Sequence, residues 1–164
     1  MTAPAFSREL RADEFVLANT VWIPYHQTHG DPDRDRIFGV FSGDDLVSLA
    51  RCRRHPDGYE VDAVFTPADR RGHGYARLVM DALIEACQHD TLYMHSVLEL
   101  TGFYAGYGFV PIGEQDLPPT IKARFDFAQG ELEQVNVRPM KRPAGRFRKK
   151  RSGTAGPGDR GQVA

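Results

Sequence analysis

Residues 65–76 of the chain read F-T-P-A-D-R-R-G-H-G-Y-A, and they contain the strongest structural signal in the sequence. A strand-like apolar run leads into this stretch, and a helix-like run from Tyr75 to Gln88 follows it. Pro67 cannot donate a ladder hydrogen bond, so it ends the strand. Gly72 and Gly74 lack a Cβ atom and leave the main chain open to a ligand. We therefore predict a strand-to-helix turn whose backbone forms a binding surface.

The same turn has the features of an anion site. The first turn of a helix has N–H groups without acceptors and a partial positive charge, which suits a phosphate. Arg70 and Arg71 add two full charges with forked donors. A tight turn with solvated arginines would show the same glycine spacing, so the spacing alone leaves both interpretations open. Gly74 is not followed by Lys and Ser/Thr, and position 77 is Arg77, so a P-loop and a dinucleotide fingerprint are both excluded.

Hydrophobic patterns along the rest of the chain predict a mixed fold. The predicted order is a helix (12–23), three strands on tight turns (37–42, 46–54 and 59–66), a helix (75–88), a strand (91–95), a helix (98–107), a strand (109–112), a helix (117–128) and a strand (133–140). Three consecutive short strands on tight turns form an antiparallel meander. The fold class is therefore α/β (α+β), with a mixed, mostly antiparallel central sheet flanked by helices.

Charge divides the chain into two parts. Residues 1–140 hold 13 Lys and Arg against 21 Asp and Glu, whereas residues 141–164 hold 8 against 1. The basic segment has almost no apolar content, so it cannot bury enough surface to offset its ordering entropy. We predict one folded domain over residues 1–140 and a basic, disordered tail over residues 141–164. Basic tails can bind nucleic acid, but terminal charge runs more often only solvate the chain, and no nucleic-acid partner is predicted.

Other classes of protein are not indicated. No run approaches the roughly 18 apolar residues that span a membrane, and the N-terminus does not resemble a secretory signal. Cys52 and Cys87 are too few to build a disulfide-rich secreted domain, so a cytoplasmic location is expected. His26 and His29 lie three residues apart in a loop-like segment without a third ligand, and no metal site is predicted.

Two segments resemble the same known family. R-G-H-G-Y-A, residues 71–76, resembles the acyl-CoA signature R/Q-x-x-G-x-G/A of the GCN5-related N-acetyltransferases, the GNAT superfamily. F-Y-A-G-Y-G-F, residues 103–109, resembles the late F-Y-x-x-x-G-F segment of that superfamily and follows in the right order. The resemblance covers about residues 10–140. It implies the GNAT-like acyl-CoA N-acyltransferase fold, with acetyl-CoA as co-substrate and no metal.

The resemblance also implies a cofactor site around the glycine turn. In this superfamily the strand before the turn splays away from its neighbour, and its free main-chain groups pair with the pantetheine arm of acetyl-CoA. The residues so implied are Val64, Phe65 and Thr66 for the pantetheine arm, and Arg70, Arg71, Gly72, His73, Gly74, Tyr75 and Ala76 for the pyrophosphate. Many members carry an asparagine at the start of the late helix, and here Ser96 is the nearest polar substitute.

The implied reaction is direct transfer of acetyl from coenzyme A to a primary amine within a ternary complex. Tyr104 matches the superfamily's tyrosine that protonates the leaving thiolate, and Tyr107 is the fallback for this role. A packed aromatic ring with a wet hydroxyl is the alternative interpretation of Tyr104. The different-class alternative for the whole chain is a non-catalytic acyl-CoA-binding or sensor domain.

An ammonium must lose a proton before it attacks, so a base is needed. Glu60 and Asp62 lie two residues apart on the strand before the turn and would share one face, while Val61 and Ala63 would share the core face. Such a carboxylate pair can raise a carboxylate pKa toward neutrality, or it can be a solvated strand face. Weaker candidates for the base are His95 and Glu99.

The acceptor is not encoded by these motifs. The loop at 26–36 is acidic through Asp31, Asp33 and Asp35, which would favour a cationic amine if the loop borders the acceptor site, although solvated loop charge is the alternative. The segment at 117–130 is long for a connection and is predicted to cap the acceptor pocket, unless packing alone explains it. The expected partner is a small-molecule or peptide amine, and a homodimer is left open.

Overall fold

The computed structural model describes residues 4–131 and 136–145. Within them one sheet has seven strands: β1 Ala5–Glu9, β2 Asp35–Ser42, β3 Asp45–His55, β4 Gly58–Phe65, β5 Leu92–Val97, β6 Val110–Pro111 and β7 Val137–Arg142. The α-helices are α1 Phe15–Val21, α2 Tyr75–Cys87, α3 Thr101–Ala105 and α4 Pro119–Glu131. Single 3₁₀ turns lie at Ala12–Glu14, Ala68–Arg70, Leu98–Leu100 and Glu114–Asp116.

The strands lie side by side in the order β1-β2-β3-β4-β5-β7-β6. Every neighbouring pair is antiparallel except β4 and β5, which run parallel. Parallel neighbours need a long crossover connection, and α2 provides it. The predicted mixed, mostly antiparallel sheet with flanking helices is confirmed.

Two apolar clusters cover opposite faces of the sheet, because successive strand residues point to opposite sides. On one face, Val79, Met80 and Leu83 of α2 are fully buried against the sheet. Burying each such side chain contributes about 1.5–3 kcal/mol. On the other face, Phe15 and Ala18 of α1 pack in a separate cluster. Helices therefore pack on both faces of the sheet.

The first strand was not predicted from the sequence. β1 has the short sequence A-F-S-R-E, is only partly buried, and pairs along the edge of the sheet with β2. Its extended form depends on this non-local pairing, which local periodicity does not report. The helix predicted at 12–23 is also shorter than expected, since α1 covers only Phe15–Val21 after a 3₁₀ turn.

The last strand passes the predicted domain boundary at residue 140. Arg142 ends β7 with 2% exposure, and its Nε donates to the Tyr107 carbonyl at 2.8 Å. The amide of Gly145 donates to the Gln88 carbonyl at 2.8 Å. Residues 141–145 therefore belong to the fold, and the rest of the predicted tail lies outside the described residues, as do positions 133–135 of the predicted strand. In the described ranges, no helix combines the length and apolar character needed to cross a bilayer.

Candidate active site

The ladder between β4 and β5 is short, and we call the gap beyond its last pair the cleft. The two strands pair at only two positions, and the second of these joins Glu60 to Tyr93. Beyond it, β5 stays paired to β7 as far as Val97, while the ladder between β4 and β5 has ended. The splay that the family resemblance implies is therefore present, and the later part of β4 has a free main-chain edge.

A β-bulge at Ala63 redirects the end of β4. Ala63 has φ +51°, a left-handed conformation that costs a non-glycine residue about 1–3 kcal/mol. The fully buried Trp22 supports the bulge, since its Nε1 donates to the Ala63 carbonyl at 3.0 Å. Val61 and Val64 consequently pack with α2, whereas Ala63 and Phe65 pack with the α1 cluster. The prediction that Val61 and Ala63 share one face is therefore wrong.

The end of β4 is held in place by β3 and by the turn that follows. Ser48 Oγ lies 2.8 Å from Thr66 Oγ1 and 3.3 Å from the Phe65 carbonyl oxygen. The Nε of Arg71 donates to the Thr66 carbonyl at 3.0 Å. The side chains of Val64, Phe65 and Thr66 are buried. Any contact of these three residues with a ligand would therefore be made by the main chain.

The glycine turn that follows is shaped by two left-handed residues. Gly72 has φ +86° and Gly74 has φ +78°, values that favour glycine. A Cβ built at either position would meet no atom within 4 Å, so the space outside the turn is open. Gly74 is the N-cap of α2, and no side chain caps this helix. The first-turn amides of a helix have no intrahelical acceptor, so this surface of the turn is of the kind that can receive an anion.

The charged and aromatic residues of the turn surround this surface. Arg70 Nη2 lies 3.2 Å from Asp45 Oδ2 in an exposed ion pair. Arg71 is exposed as well, although its Nε is used by the Thr66 carbonyl. The rings of His73 and Tyr75 stack with centroids 5.3 Å apart. A guanidinium has five N–H donors, so each arginine keeps donors beyond the contact named here.

Tyr104 lies on α3 and is fully buried. Among the residues that the structure describes, no group forms a hydrogen bond with its hydroxyl. An unpaired buried hydroxyl costs about 1–3 kcal/mol, which a bound ligand would relieve. Burial raises the pKa of Tyr104, with a smaller contribution from Tyr25, so the phenol is protonated at neutral pH. The hydroxyl of Tyr107, the fallback candidate, instead donates to the Arg77 carbonyl at 3.2 Å.

Glu60 and Asp62 lie in a buried ion-pair cluster with Arg51 and Arg124, which we call the acid–arginine cluster. Asp62 accepts two hydrogen bonds of 2.7 Å from Arg51 and one of 3.0 Å from Arg124. Glu60 accepts one of 2.8 Å from Arg124 Nε. The side chains of Glu60 and Asp62 are 1% and 11% exposed, so they do not form a solvated strand face.

The direction of the Asp62 pKa shift differs from the prediction. Burial alone would raise the pKa of Asp62, but the charge and hydrogen bonds of Arg51, together with the charge of Arg124, lower it below its ordinary value. The expectation that the carboxylate pair shifts a pKa toward neutrality is therefore wrong for Asp62.

Two histidines contact Glu60 from neighbouring strands. His55 Nε2 lies 2.9 Å from Glu60 Oε1, and His95 Nε2 lies 3.5 Å from Glu60 Oε2. Burial lowers the pKa of His95, although the charge of Glu60 acts in the opposite direction. At neutral pH His95 is therefore an uncharged imidazole beside a carboxylate.

The sequence did not identify Arg51 and Arg124 as site residues. Arg51 occupies an inward position of β3, and its Nη1 also donates to the carbonyl of His29 at 2.8 Å, which ties the loop at 26–36 to the cluster. Asp35, predicted as loop charge, begins β2 and is buried, with bonds of 2.7 and 2.8 Å from Arg53. An arginine among apolar residues of a strand was the available signal for Arg51. Arg124 had none, because its partners lie about 60 residues earlier.

Ser96 lies on β5 and is fully buried, and its hydroxyl donates to the Val97 carbonyl at 2.8 Å. This use of the hydroxyl does not favour the predicted contact with the cofactor. Over residues 4–131 and 136–145, no group of three or more His, Cys, Asp or Glu side chains is arranged to hold a metal ion.

Comparison with solved structures shows how widely this architecture occurs. N-acetylglutamate synthase from Neisseria gonorrhoeae, complexed with coenzyme A and N-acetyl-glutamate, is similar with a TM-score of 0.65 and 14% identity, over 89% of this chain and 36% of that one. The ribosomal-protein-S18-alanine N-acetyltransferase from Escherichia coli gives a TM-score of 0.61 and 13% identity, over 90% of this chain and 98% of that one. These likenesses concern the fold, and this chain spans about a third of the length of the synthase.

Sequence comparison gives the family. Protein ElaA of Escherichia coli (strain K12) is 28% identical over 116 residues, which are 65% of this chain and 74% of that protein. Residues 24–119, more than half of the chain, match the acetyltransferase (GNAT) domain. The chain therefore belongs to the GNAT acetyltransferase family.

Proposed function

We propose that the protein transfers the acetyl group of acetyl-CoA to a primary amine by direct attack within a ternary complex. The observation that carries this proposal is the combination of a free strand edge on β4 with the uncapped N-terminus of α2. A strand edge offers main-chain hydrogen bonds to an amide-bearing arm, and a helix N-terminus offers amides and positive charge to a diphosphate. Coenzyme A has both of these parts.

The residues that would hold acetyl-CoA follow from this arrangement. The main chain at Val64, Phe65 and Thr66 would pair with the pantetheine arm, and the amides of residues 71–76 would hold the diphosphate. Arg70 and Arg71 would add charge at the mouth of the turn. The unpaired Tyr104 hydroxyl and the open space outside both glycines fit a ligand of this kind. Acetyl-CoA supplies the activated thioester, and the remaining chemistry is proton transfer.

Glu60 is the proposed acceptor of the amine's proton. Asp62 already accepts three hydrogen bonds from two guanidiniums, and its lowered pKa makes it a poor base. Glu60 lies at the last paired position of β4, where the cleft begins. The neutral imidazole of His95 lies 3.5 Å from Glu60 Oε2 and is the proposed next carrier of this proton.

Tyr104 is the proposed donor of a proton to the departing thiolate. Its hydroxyl is protonated at neutral pH and has no hydrogen-bond partner in the described part of the chain. A free main-chain N–H on the splayed part of β4 is the proposed partner of the oxyanion that forms when the amine attacks.

Release of free thiol from acetyl-CoA, measured with a panel of primary amines, tests this function. We expect amine-dependent release and a product heavier by one acetyl group in mass spectrometry. Coenzyme A binding without release for any amine would favour a non-catalytic acyl-CoA-binding domain. Failure to bind coenzyme A, with the fold intact, would contradict both functions.

A further inference from the structure

Arg124 is fixed at two points and still reaches solvent. Its Nε lies 2.8 Å from Glu60 Oε1, and its Nη2 lies 3.0 Å from Asp62 Oδ2. Its side chain is 41% exposed, whereas those of Glu60 and Asp62 are 1% and 11% exposed. Neither contact uses Nη1, so the guanidinium keeps further N–H donors. A held guanidinium with donors left over is a preorganised binding group for an anion.

The carboxylates and the guanidiniums around Arg124 are equal in number. The three carboxylates are Asp35, Glu60 and Asp62, and the three guanidiniums are Arg51, Arg53 and Arg124. His95 is neutral because burial lowers its pKa, and Tyr25 is neutral because burial raises its pKa. A lone cation or anion entering this partly desolvated site would leave an uncompensated charge. A ligand with one positive and one negative group would preserve the balance.

A second observation places this cluster beside the end of β4. The ring of Tyr25 stacks on that of Phe65, the last residue of β4, with centroids 5.4 Å apart, and the nearby carbonyl of His29 accepts from Arg51 Nη1 at 2.8 Å. Glu60 itself lies at the last position where β4 pairs with β5. The cluster therefore borders the cleft in which the thioester of acetyl-CoA is proposed to lie.

We propose that the acceptor is a zwitterionic amine, an amino-acid-like molecule whose carboxylate lies close to its reacting amine, and that Arg124 binds this carboxylate while Glu60 receives the ammonium. This inference rests on the proposed acetyl transfer and names its substrate class. The fork of a guanidinium matches a carboxylate with two parallel hydrogen bonds. Arg124 and Glu60 are in contact, as the two charged groups of an amino acid are neighbours.

Three matched amines test this proposal: 2-aminopentanoate, its primary amide and 1-butylamine. They share the amine and the alkyl chain and differ in the carboxylate, which is present, neutralised or absent. Binding is measured by calorimetry with coenzyme A present, and turnover is measured by thiol release from acetyl-CoA. For the unaltered protein we expect 2-aminopentanoate to bind roughly ten- to a hundredfold more tightly than the other two, as a charge-assisted pair allows.

Variants at position 124 show whether the preference depends on the guanidinium. Arg124→Gln should remove the preference, and Arg124→Lys should keep part of it, because lysine retains the charge but not the fork. Lys122→Ala is the matched control on the same helix, since its ammonium lies 3.9 Å from Glu114 and outside the cluster. This control should keep the full preference.

Several results would overturn the inference. These are equal affinity for the three amines, binding of none of them, and tighter binding of 1-butylamine by Arg124→Gln. The last result would mean that Arg124 only occupies the position of an incoming cation. Carboxylate-dependent binding without thiol release would support the acceptor class and overturn the acetyl transfer. Thiol release without carboxylate preference would do the reverse.

Discussion

The cofactor side and the acceptor side of the proposed active site are built from different chemical groups. On the cofactor side the groups are main-chain amides at the start of α2 and the free edge of β4, exposed by Gly72 and Gly74. On the acceptor side the contacts are between side chains, in the acid–arginine cluster. The main-chain amides at the start of α2 have no side-chain cap, whereas the carboxylates of the acceptor side are already paired with guanidiniums.

This difference explains what each side can tolerate. A site made of backbone depends on the conformations of a few residues that follow one another in the sequence, so a short motif specifies it. A site made of side chains draws its residues from several elements, here β3, β4 and α4, so no short motif specifies it. The two sides should therefore respond differently to substitution.

Asp62→Ala should have the largest effect, and the effect should be on stability. It leaves the buried Arg51 without its two-point partner, and removing one member of a buried pair costs about 3–5 kcal/mol. Urea denaturation should show this loss. The matched control is Asp45→Ala, which removes the exposed partner of Arg70 and should change the free energy of unfolding by less than about 0.5 kcal/mol. Similar losses in the free energy of unfolding for the two variants would show that the buried ion pair stabilises the fold no more than the exposed one.

The same pair sets a pH dependence with a definite sign. The folded-state pKa of Asp62 lies below its ordinary value of 3.8. Its stabilising contribution is therefore complete above that value and is lost as the pH falls through the folded-state pKa. The stability difference between the unaltered protein and Asp62→Asn should shrink below about pH 4. A difference that grows on acidification would contradict this assignment.

Tyr104→Phe should have the next largest effect, on turnover rather than on binding. Loss of a general acid typically costs about a hundredfold or more in kcat. Stability should not fall, because the hydroxyl that is removed has no partner within the described residues. Tyr107→Phe, which removes a hydroxyl bonded to the Arg77 carbonyl, should leave kcat nearly unchanged. Unchanged kcat in Tyr104→Phe would remove this tyrosine from the mechanism.

Gly74→Ala should weaken the cofactor side by a smaller amount. Alanine at φ +78° is strained by about 1–2 kcal/mol, and its methyl group would project into the open space outside the turn. We expect the Kd for acetyl-CoA to rise about tenfold. Gly102→Ala in α3 is the control, because a Cβ there also meets no atom within 4 Å and no left-handed φ is involved. Equal affinity in both variants would show that the turn is not the binding surface.

Arg70→Ala should have the smallest effect. Arg70 is partly exposed and forms a surface ion pair, and such charges are screened at physiological salt. We expect the Kd for acetyl-CoA to change by less than about threefold in 0.15 M salt and by more at low salt. A large loss that persists at high salt would indicate that side chains, rather than amides, hold the diphosphate.

The sequence predicted the parts of the fold that local patterns control. The meander and α2 follow from alternation, tight turns and helical spacing within short windows. β1 was not predicted because its extended form depends on pairing with β2, which lies far from it in the sequence. The glycine turn was predictable for the same reason as the meander, because the residues of the turn themselves determine its backbone conformation.

The acceptor side was less predictable because it depends on distant contacts. The bulge at Ala63 relies on a hydrogen bond from Trp22, which lies on another element. The sign of the Asp62 pKa shift depends on Arg51 and Arg124, which reach it from β3 and α4. Without those partners, two carboxylates on one strand face suggest repulsion and a raised pKa.

Titration of the isotope-labelled protein with acetyl-CoA, followed by amide NMR, tests whether the glycine turn binds the cofactor. We expect the amides of Gly72, Gly74 and Ala76 to shift strongly and saturably, while those of Arg51 and Asp62 shift little. Strong shifts in the acceptor-side amides with none in the glycine turn, in a protein whose spectrum shows an intact fold, would contradict this expectation.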